Sequence, residues 1–238
     1  MNYEFLILNF KEESMANVAV LRGRVAQGLA DTGNAIWSAA WLDEGLRLAL
    51  AEYNLVRPVQ TSEVGEVALG QAADNPRELI LTDMSIDDVV DVTAVWLPYT
   101  PGQPEHPPNT RRFEYWPDVG RLYLPDGPEP RAGEQLRLFV TRRRQIEGLD
   151  TQGQTTLPPI HESMLVGGAA GHVAASRALD LAEQVTLDKL TAQQVRAWGL
   201  SKLQEFRAAL SKIGRRQAQG SAFTPLPPLD RWDKEGWA

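Results

Sequence analysis

From Met15 to Asp31 the apolar residues Val18, Leu21, Val25 and Leu29 return at steps of three and four, which predicts a helix with one buried stripe. Asp31-Thr32-Gly33-Asn34 is expected to end it, with Gly33 taking the left-handed residue beyond the last turn. A second stripe, Leu42, Leu46, Ala49, Leu50 and Tyr53, predicts a helix from about Ser38 to Asn54. Arg57-Pro58 closes it, because the residue before a proline avoids the helical region. The two form an α-hairpin. From Val59 to Thr141 the period falls to two. Leu79 and Leu81, then Val92, Ala94 and Trp96, then Phe113 and Tyr115, then Leu122 and Leu124, then Leu136, Leu138 and Val140 alternate with mostly polar neighbours, as strands with one wet face do. Between them PYTPGQPEHPPN, Pro98 to Asn109, is too rich in proline for helix and reads as a long loop.

After Gly148 the helical spacing returns, first over about Pro159 to Glu183. The next helix is expected from Thr191, where TAQQ fits a capping box with Thr191 as cap and Gln194 reaching back, to about Arg215. Trp198, Leu203, Phe206, Leu210 and Ile213 share one side of it. The tail SAFTPLPPLDRWDKEGWA shows no period and cannot form a core of its own. Neither helix pair buries much alone, so the economical arrangement is an α+β fold. A helical bundle is built from N- and C-terminal helices, with an inserted antiparallel β-sandwich or barrel lobe and an extended C-terminal arm. The corresponding segments are 1–58, 59–148, 149–218 and 219–238.

Composition narrows the function. With no cysteine, disulfides, thiolate metal sites and cysteine nucleophiles are excluded. The formal charge of -7 argues against a general grip on nucleic-acid phosphates, and the run Arg142-Arg143-Arg144 reads as a solvated strand end. MNYEFLILNFKEES is apolar over too few residues for a signal peptide or a membrane span, so the chain is expected to be intracellular at synthesis.

The stretch PPIHESMLVGGAAGHVAASRA, Pro158 to Ala178, carries the most suggestive chemistry. Consecutive residues on a helix point about 100° apart, so His161, Glu162 and Ser163 cannot relay protons as a triad. His161 and His172 lie roughly 16 Å apart along the axis, too far for one metal, and Leu165 stands where HEXXH needs its second histidine. The third histidine, His106, falls in the proline loop. Gly167, Gly171, Ala174 and Ala178 form a seam without bulk. Each helix-interior glycine costs about 1 kcal/mol relative to alanine, and close approach of another backbone is the compensating gain. The spacings of phosphate loops are absent. Asp31-Thr32-Gly33 matches the core of an aspartic-protease motif, but it follows a helix and has no second copy. DMSIDDVVD, with Asp83, Asp87, Asp88 and Asp91, lacks the alternation and turn glycine of a calcium loop. No catalytic, cofactor or metal site is expected.

The order of elements then carries a resemblance. A helix pair precedes an insert with VWLPY and RRFEYW; LRLFVTRR leads into IEGLDTQGQTTLP; HESMLVGGAAGHVAASRALD and a helix with LQEFRAAL close the chain. Over roughly residues 15 to 215 this resembles the head-to-tail connector proteins of tailed bacteriophages, the adaptors that dock beneath the portal. The resemblance implies a structural virion protein and no enzyme: a homo-oligomeric, commonly dodecameric ring. Such a ring assembles in the host cytoplasm and resides in the virion neck. It binds the portal protein and the next neck or tail protein, and double-stranded DNA passes its channel without sequence recognition. No membrane partner is expected. An arm with Phe223, Pro225, Leu226, Pro227, Pro228, Leu229, Trp232 and Trp237 suits partner binding, since a proline-stiffened peptide with aromatic anchors loses little entropy on docking. Three other readings remain. One is a different neck or tail ring component. Another is an acid protease acting through Asp31. The last is a ligand- or carbohydrate-binding β-sandwich with Trp96, Tyr99, Tyr115 and Trp116 as contacts, although alternation places Trp96 on the inner face with Val92.

Overall fold

The computed structural model describes residues 16–31, 33, 36–68, 75–102, 109–183 and 189–220; in the last two helices side chains are described up to 178 and from 192 to 214. The fold is mixed α+β, with four α-helices and antiparallel sheets among the described residues. By internal contacts the chain divides into a helical unit, Met1–Arg57 with Pro158–Ala238, and a strand unit, Pro58–Leu157.

In the helical unit α1 spans Val18–Gly28, shorter than the predicted Met15 to Asp31. It starts where the Asn17 side chain accepts a hydrogen bond from the Val20 N–H, a cap that satisfies one of the free amides of the first turn. It stops at Leu29 by a pair of reversed bonds, Ala30 N–H to the Gln27 carbonyl at 3.0 Å and Asp31 N–H to the Ala26 carbonyl at 2.9 Å. That closure requires a left-handed residue, and Ala30 supplies it at φ 55°, not Gly33. Alanine in this region is strained by roughly 1 kcal/mol, so Ala30→Gly is expected to stabilise the protein by about 0.5–1 kcal/mol, read as a shift in the urea midpoint at constant slope. The second helix, α2 (Ala39–Val56), buries Leu42, Leu46, Ala49, Leu50 and Tyr53, the full predicted stripe. The third, α3 (Pro159–Glu183), packs against α1, α2 and the last helix, α4 (Lys189–Gly220). Because α4 begins at Lys189, Thr191 lies inside its first turn and is not the cap.

The strand unit holds two antiparallel sheets. One is ordered β1 (Val59–Glu66), β7 (Gln135–Arg142), β3 (Val89–Trp96) and β4 (Thr110–Arg111); the other is ordered β2 (Glu78–Ile80), β6 (Arg121–Tyr123) and β5 (Glu114–Trp116). Among the described residues each sheet is open, ending in two edge strands, so the predicted barrel alternative is corrected: these strands do not close into a barrel. Leu79 and Leu122 from one sheet share a buried cluster with Val92, Val95, Leu136, Leu138 and Val140 from the other. The alternation of β3 breaks at two bulges, between Val89 and Asp91 and between Val92 and Ala94. Each bulge inserts an extra residue and flips the facing that follows, so Val92 and Val95 are the buried pair and Trp96 leaves their face. Trp96 pairs with Arg137, which stands between the inward-facing Leu136 and Leu138.

The second lobe was expected to end at 148, but the chain through Leu157 stays with the strand unit. There Thr155 and Thr156 accept hydrogen bonds from the N–H groups of Glu147 (3.0 Å) and Gln145 (2.8 Å), folding 149–157 back onto 144–147. Among the described residues no helix is long and apolar enough to cross a membrane.

Candidate functional site

The polar residues of α3 are drawn into ties to its neighbours. His161 Nδ1 lies 2.6 Å from the hydroxyl of Tyr53, a fully buried residue of α2. Glu162, buried, accepts the Ala16 N–H at 3.2 Å and pairs with Arg24 of α1. Neither contact joins His161 to Glu162 or to Ser163, in keeping with their helical spacing. Half-buried His172 belongs to a separate cluster. Its Nε2 is 3.2 Å from Glu52 Oε1, while Glu52 accepts from Nε and one terminal nitrogen of the Arg207 guanidinium at 2.9 and 2.6 Å. Three helices meet at these three side chains.

Their titration follows from the geometry. The Arg207 hydrogen bond holds the Glu52 carboxyl below its ordinary value near 4.5, against a smaller opposing effect of burial. Burial lowers His172 below its ordinary 6.5, partly offset by Glu52, and Arg207 pushes it down further. Both groups bind protons more weakly folded than unfolded. Their stabilising contributions are therefore present above the unfolded values and are lost as pH falls, first for His172 from about 6.5 and then for Glu52 from about 4.5. Melting temperature is expected to decline between pH 7 and 5, and His172→Gln is expected to flatten that decline; an unchanged slope would remove His172 as its source.

The small residues of α3 serve two crossings. A β-carbon built at Gly171 would lie 3.0 Å from the Gly199 carbonyl oxygen and 3.1 Å from the Leu203 nitrogen, so α3 and α4 approach backbone to backbone. At Gly199 it would lie 2.7 Å from the Ala175 nitrogen, 2.9 Å from the Gly171 oxygen and 3.0 Å from the Ala174 β-carbon. On the other side, a β-carbon at Gly45 of α2 would lie 2.8 Å from the Ala169 carbonyl. Ala174 and Ala178 are buried, and Gly168 leaves room for the ring of Phe206. Gly167 differs: nothing comes within 4 Å of the position its β-carbon would take. It opens onto a groove of about 460 Å³ between α3 and α4, where Met164 and Ala170 face Trp198 and Phe206.

No protein-family model matches the chain, and no curated protein matches its sequence. The site must be read from its own geometry.

Asp31 is engaged with the backbone of the turn that follows it. Its buried carboxylate accepts the Ile36 and Trp37 N–H groups at 2.9 and 2.7 Å and shapes the turn into α2. In the strand unit, Trp96 packs edge-on against Phe139, and the Arg137 guanidinium sits 5.4–5.6 Å from the rings of Trp96, Tyr99 and Phe139. Tyr115 donates to the Val89 carbonyl at 2.9 Å, and burial raises its pKa. Trp116 is 40% exposed and lies parallel to Tyr123, with centroids 6.2 Å apart. Asp83, Asp87, Asp88 and Asp91 are exposed, and among the described residues no group of three acidic or histidine side chains is placed to hold a metal. Arg142 pairs with Glu63 at 3.1 Å, while Arg143 is exposed. His106 and the arm residues Phe223, Pro225, Leu226, Pro227, Pro228, Leu229, Trp232 and Trp237 lie outside the described residues.

Sequence reasoning missed Gly45, Gly199, Glu52 and Arg207. A signal for the glycines was present, since each interrupts a predicted helix where alanine would be better by about 1 kcal/mol. The ion pair spans 155 residues, which no local pattern can show.

Proposed function

We propose that the protein is a structural head-to-tail connector of a tailed bacteriophage, with no catalytic activity, and that it works by assembly. In this reading both ends of the chain build one helical bundle, the strand unit is an inserted β-sandwich, and copies join into a ring, commonly of twelve, on the portal. The observation that carries it is the use of α3: its histidines and its buried glutamate are committed to neighbouring helices, its glycines to backbone contact, and the apolar surface left over is a groove suited to a peptide. A net charge of -7 suits a passage through which DNA slides without sticking. The arm with Phe223, Leu226, Leu229, Trp232 and Trp237 docks on the portal or the next neck protein.

The test is the native mass of the protein alone and mixed with the portal ring encoded beside it, with negative-stain images of any complex. A ring, formed alone or on the portal, is expected, and removal of 221–238 is expected to abolish docking without lowering the melting temperature of the remainder. A monomer indifferent to the portal would overturn the reading. The exposed, parallel Trp116–Tyr123 pair favours a second one, a carbohydrate-binding strand unit, for which sugar-dependent quenching of Trp116 is the check.

A further inference from the structure

The strand β1 is an edge without the usual defences. Among the described residues only β7 pairs with it. That pairing runs from Val59 to Glu66 with no register shift, so no bulge turns the edge aside, and VQTSEVGE holds neither proline nor lysine. Every second residue of an antiparallel edge strand aims its N–H and C=O away from the sheet. At eight residues β1 can template a whole strand of another chain, whereas β4 at the opposite edge, Thr110–Arg111, is too short to do so.

Beside this edge the sheet carries a cation with no counter-ion. Val64, Arg137 and Trp96 lie in one row across β1, β7 and β3, and Ser62, Phe139 and Ala94 lie in the next. Elsewhere in the strand unit Arg142, Arg121 and Arg112 face the carboxylates of Glu63, Glu78 and Asp126 at 3.1, 3.3 and 3.7 Å. Among the described residues Arg137 has no carboxylate. Its Nη2 donates to Ser62 Oγ at 3.0 Å and its Nη1 to the Tyr99 hydroxyl at 3.4 Å, both neutral, and its buried Nε has no hydrogen-bond partner. The rings of Trp96, Tyr99 and Phe139 stand around it and keep water back. A guanidinium held in this way gains most from a carboxylate, whose two oxygens match its fork.

We propose that the open edge of β1 receives an extended segment of another protein as a fifth strand, and that an Asp or Glu of that segment pairs with Arg137. Ser62 joins the two features, because it belongs to the edge strand and touches the guanidinium. On an added strand the residue opposite Ser62 stands about 4.5–5.5 Å away, within reach of Nη2 for an acidic side chain. Glu66, exposed and roughly 13 Å further along β1, repels an acid at that end and so sets the register. Val64, 50% exposed, offers an apolar contact between them. A second copy of β1 suits the edge less well, since its central Glu63 is committed to Arg142. The proposal does not rest on the connector reading.

The test selects binders of the full chain from a random library of peptides about nine residues long, displayed on yeast, and measures the strongest as free labelled peptides by fluorescence anisotropy. The selected peptides are expected to carry Asp or Glu among β-branched residues and to slow hydrogen exchange in 59–66. Arg137→Gln is expected to weaken them by roughly tenfold or more, and changing the peptide's acid to its amide should weaken binding to the unaltered protein as much but add little in the Arg137→Gln variant. The peptide-side change reads the same contact without touching the fold. Methylating alternate peptide nitrogens is expected to abolish binding along one edge and to spare it along the other. The proposal is overturned by a selection without binders, by binders that lack an acid or tolerate both methylation patterns, by indifference to the acid-to-amide change, by exchange slowed only outside 59–66, or by free glutamate competing as well as unlabelled peptide. None of these outcomes touches the ring assay, so either proposal can fail alone.

Discussion

Gly199→Ala is expected to destabilise the protein by about 2 kcal/mol, although alanine is the better helix former by about 1 kcal/mol. The new methyl group would meet the Ala175 nitrogen at 2.7 Å and the Gly171 oxygen at 2.9 Å. Both are backbone atoms of a helix held along its length by α1 and α2, so they cannot rotate aside as a side chain would. The helices must separate by several tenths of an ångström, which loosens Leu203 and Phe206, both buried on α4. Gly167→Ala, four residues from Gly171 on the same helix, is expected to have the opposite sign and to stabilise by up to about 1 kcal/mol, because its β-carbon enters open space. Urea unfolding followed by far-ultraviolet circular dichroism compares the two directly. If both substitutions stabilise, propensity alone is acting and the backbone contact at Gly199 is absent. Gly45→Ala should follow Gly199, since the Ala169 carbonyl is equally unable to yield.

That contrast also shows how far the sequence could be read. The small-residue seam of α3 was legible because helix-interior glycine is costly and four small residues recurred at helical steps. Which glycines carry the contact was not, because Gly167 and Gly171 look alike along the chain and differ only in whether α4 lies over them. The helices were legible where a stripe was strong, as with Leu42 through Tyr53. Their ends shifted where a single hydrogen bond decides, as at Ala30 and Lys189. Among strands, β1 escaped notice because VQTSEVGE has no apolar alternation; it is held by pairing with β7 over its whole length, a non-local cause. Trp96 was assigned to the wrong face because period-two reasoning presumes an unbroken strand, and the bulge beside Ala94 breaks it. In the candidate site, the polar residues of α3 were visible one by one, while their partners Tyr53, Glu52, Arg207 and Arg24 came from other helices and could be joined to them only in space.

Asp31→Ala is expected to cost about 2–4 kcal/mol, more than its place in a loop suggests. A single carboxylate oxygen accepts both the Ile36 and Trp37 N–H groups, and charge-assisted bonds of this kind are about twice as strong as neutral ones. Alanine would strand the buried Trp37 N–H, and the turn that sets Trp37 beneath the Arg177 guanidinium at 5.6 Å would loosen. Asparagine keeps one carbonyl oxygen that can accept both bonds, so Asp31→Asn should lose only about 1 kcal/mol. The ranking of aspartate over asparagine over alanine, measured by urea midpoint and by the near-ultraviolet signal of the tryptophans, is what a turn-forming carboxylate gives. A protease aspartate predicts the reverse, with the fold indifferent to both substitutions and an acid-pH peptidase activity lost in each. The carboxylate in Asp-Thr-Gly is thus tested by stability first, because its hydrogen-bond partners are the backbone it folds and not a second carboxylate.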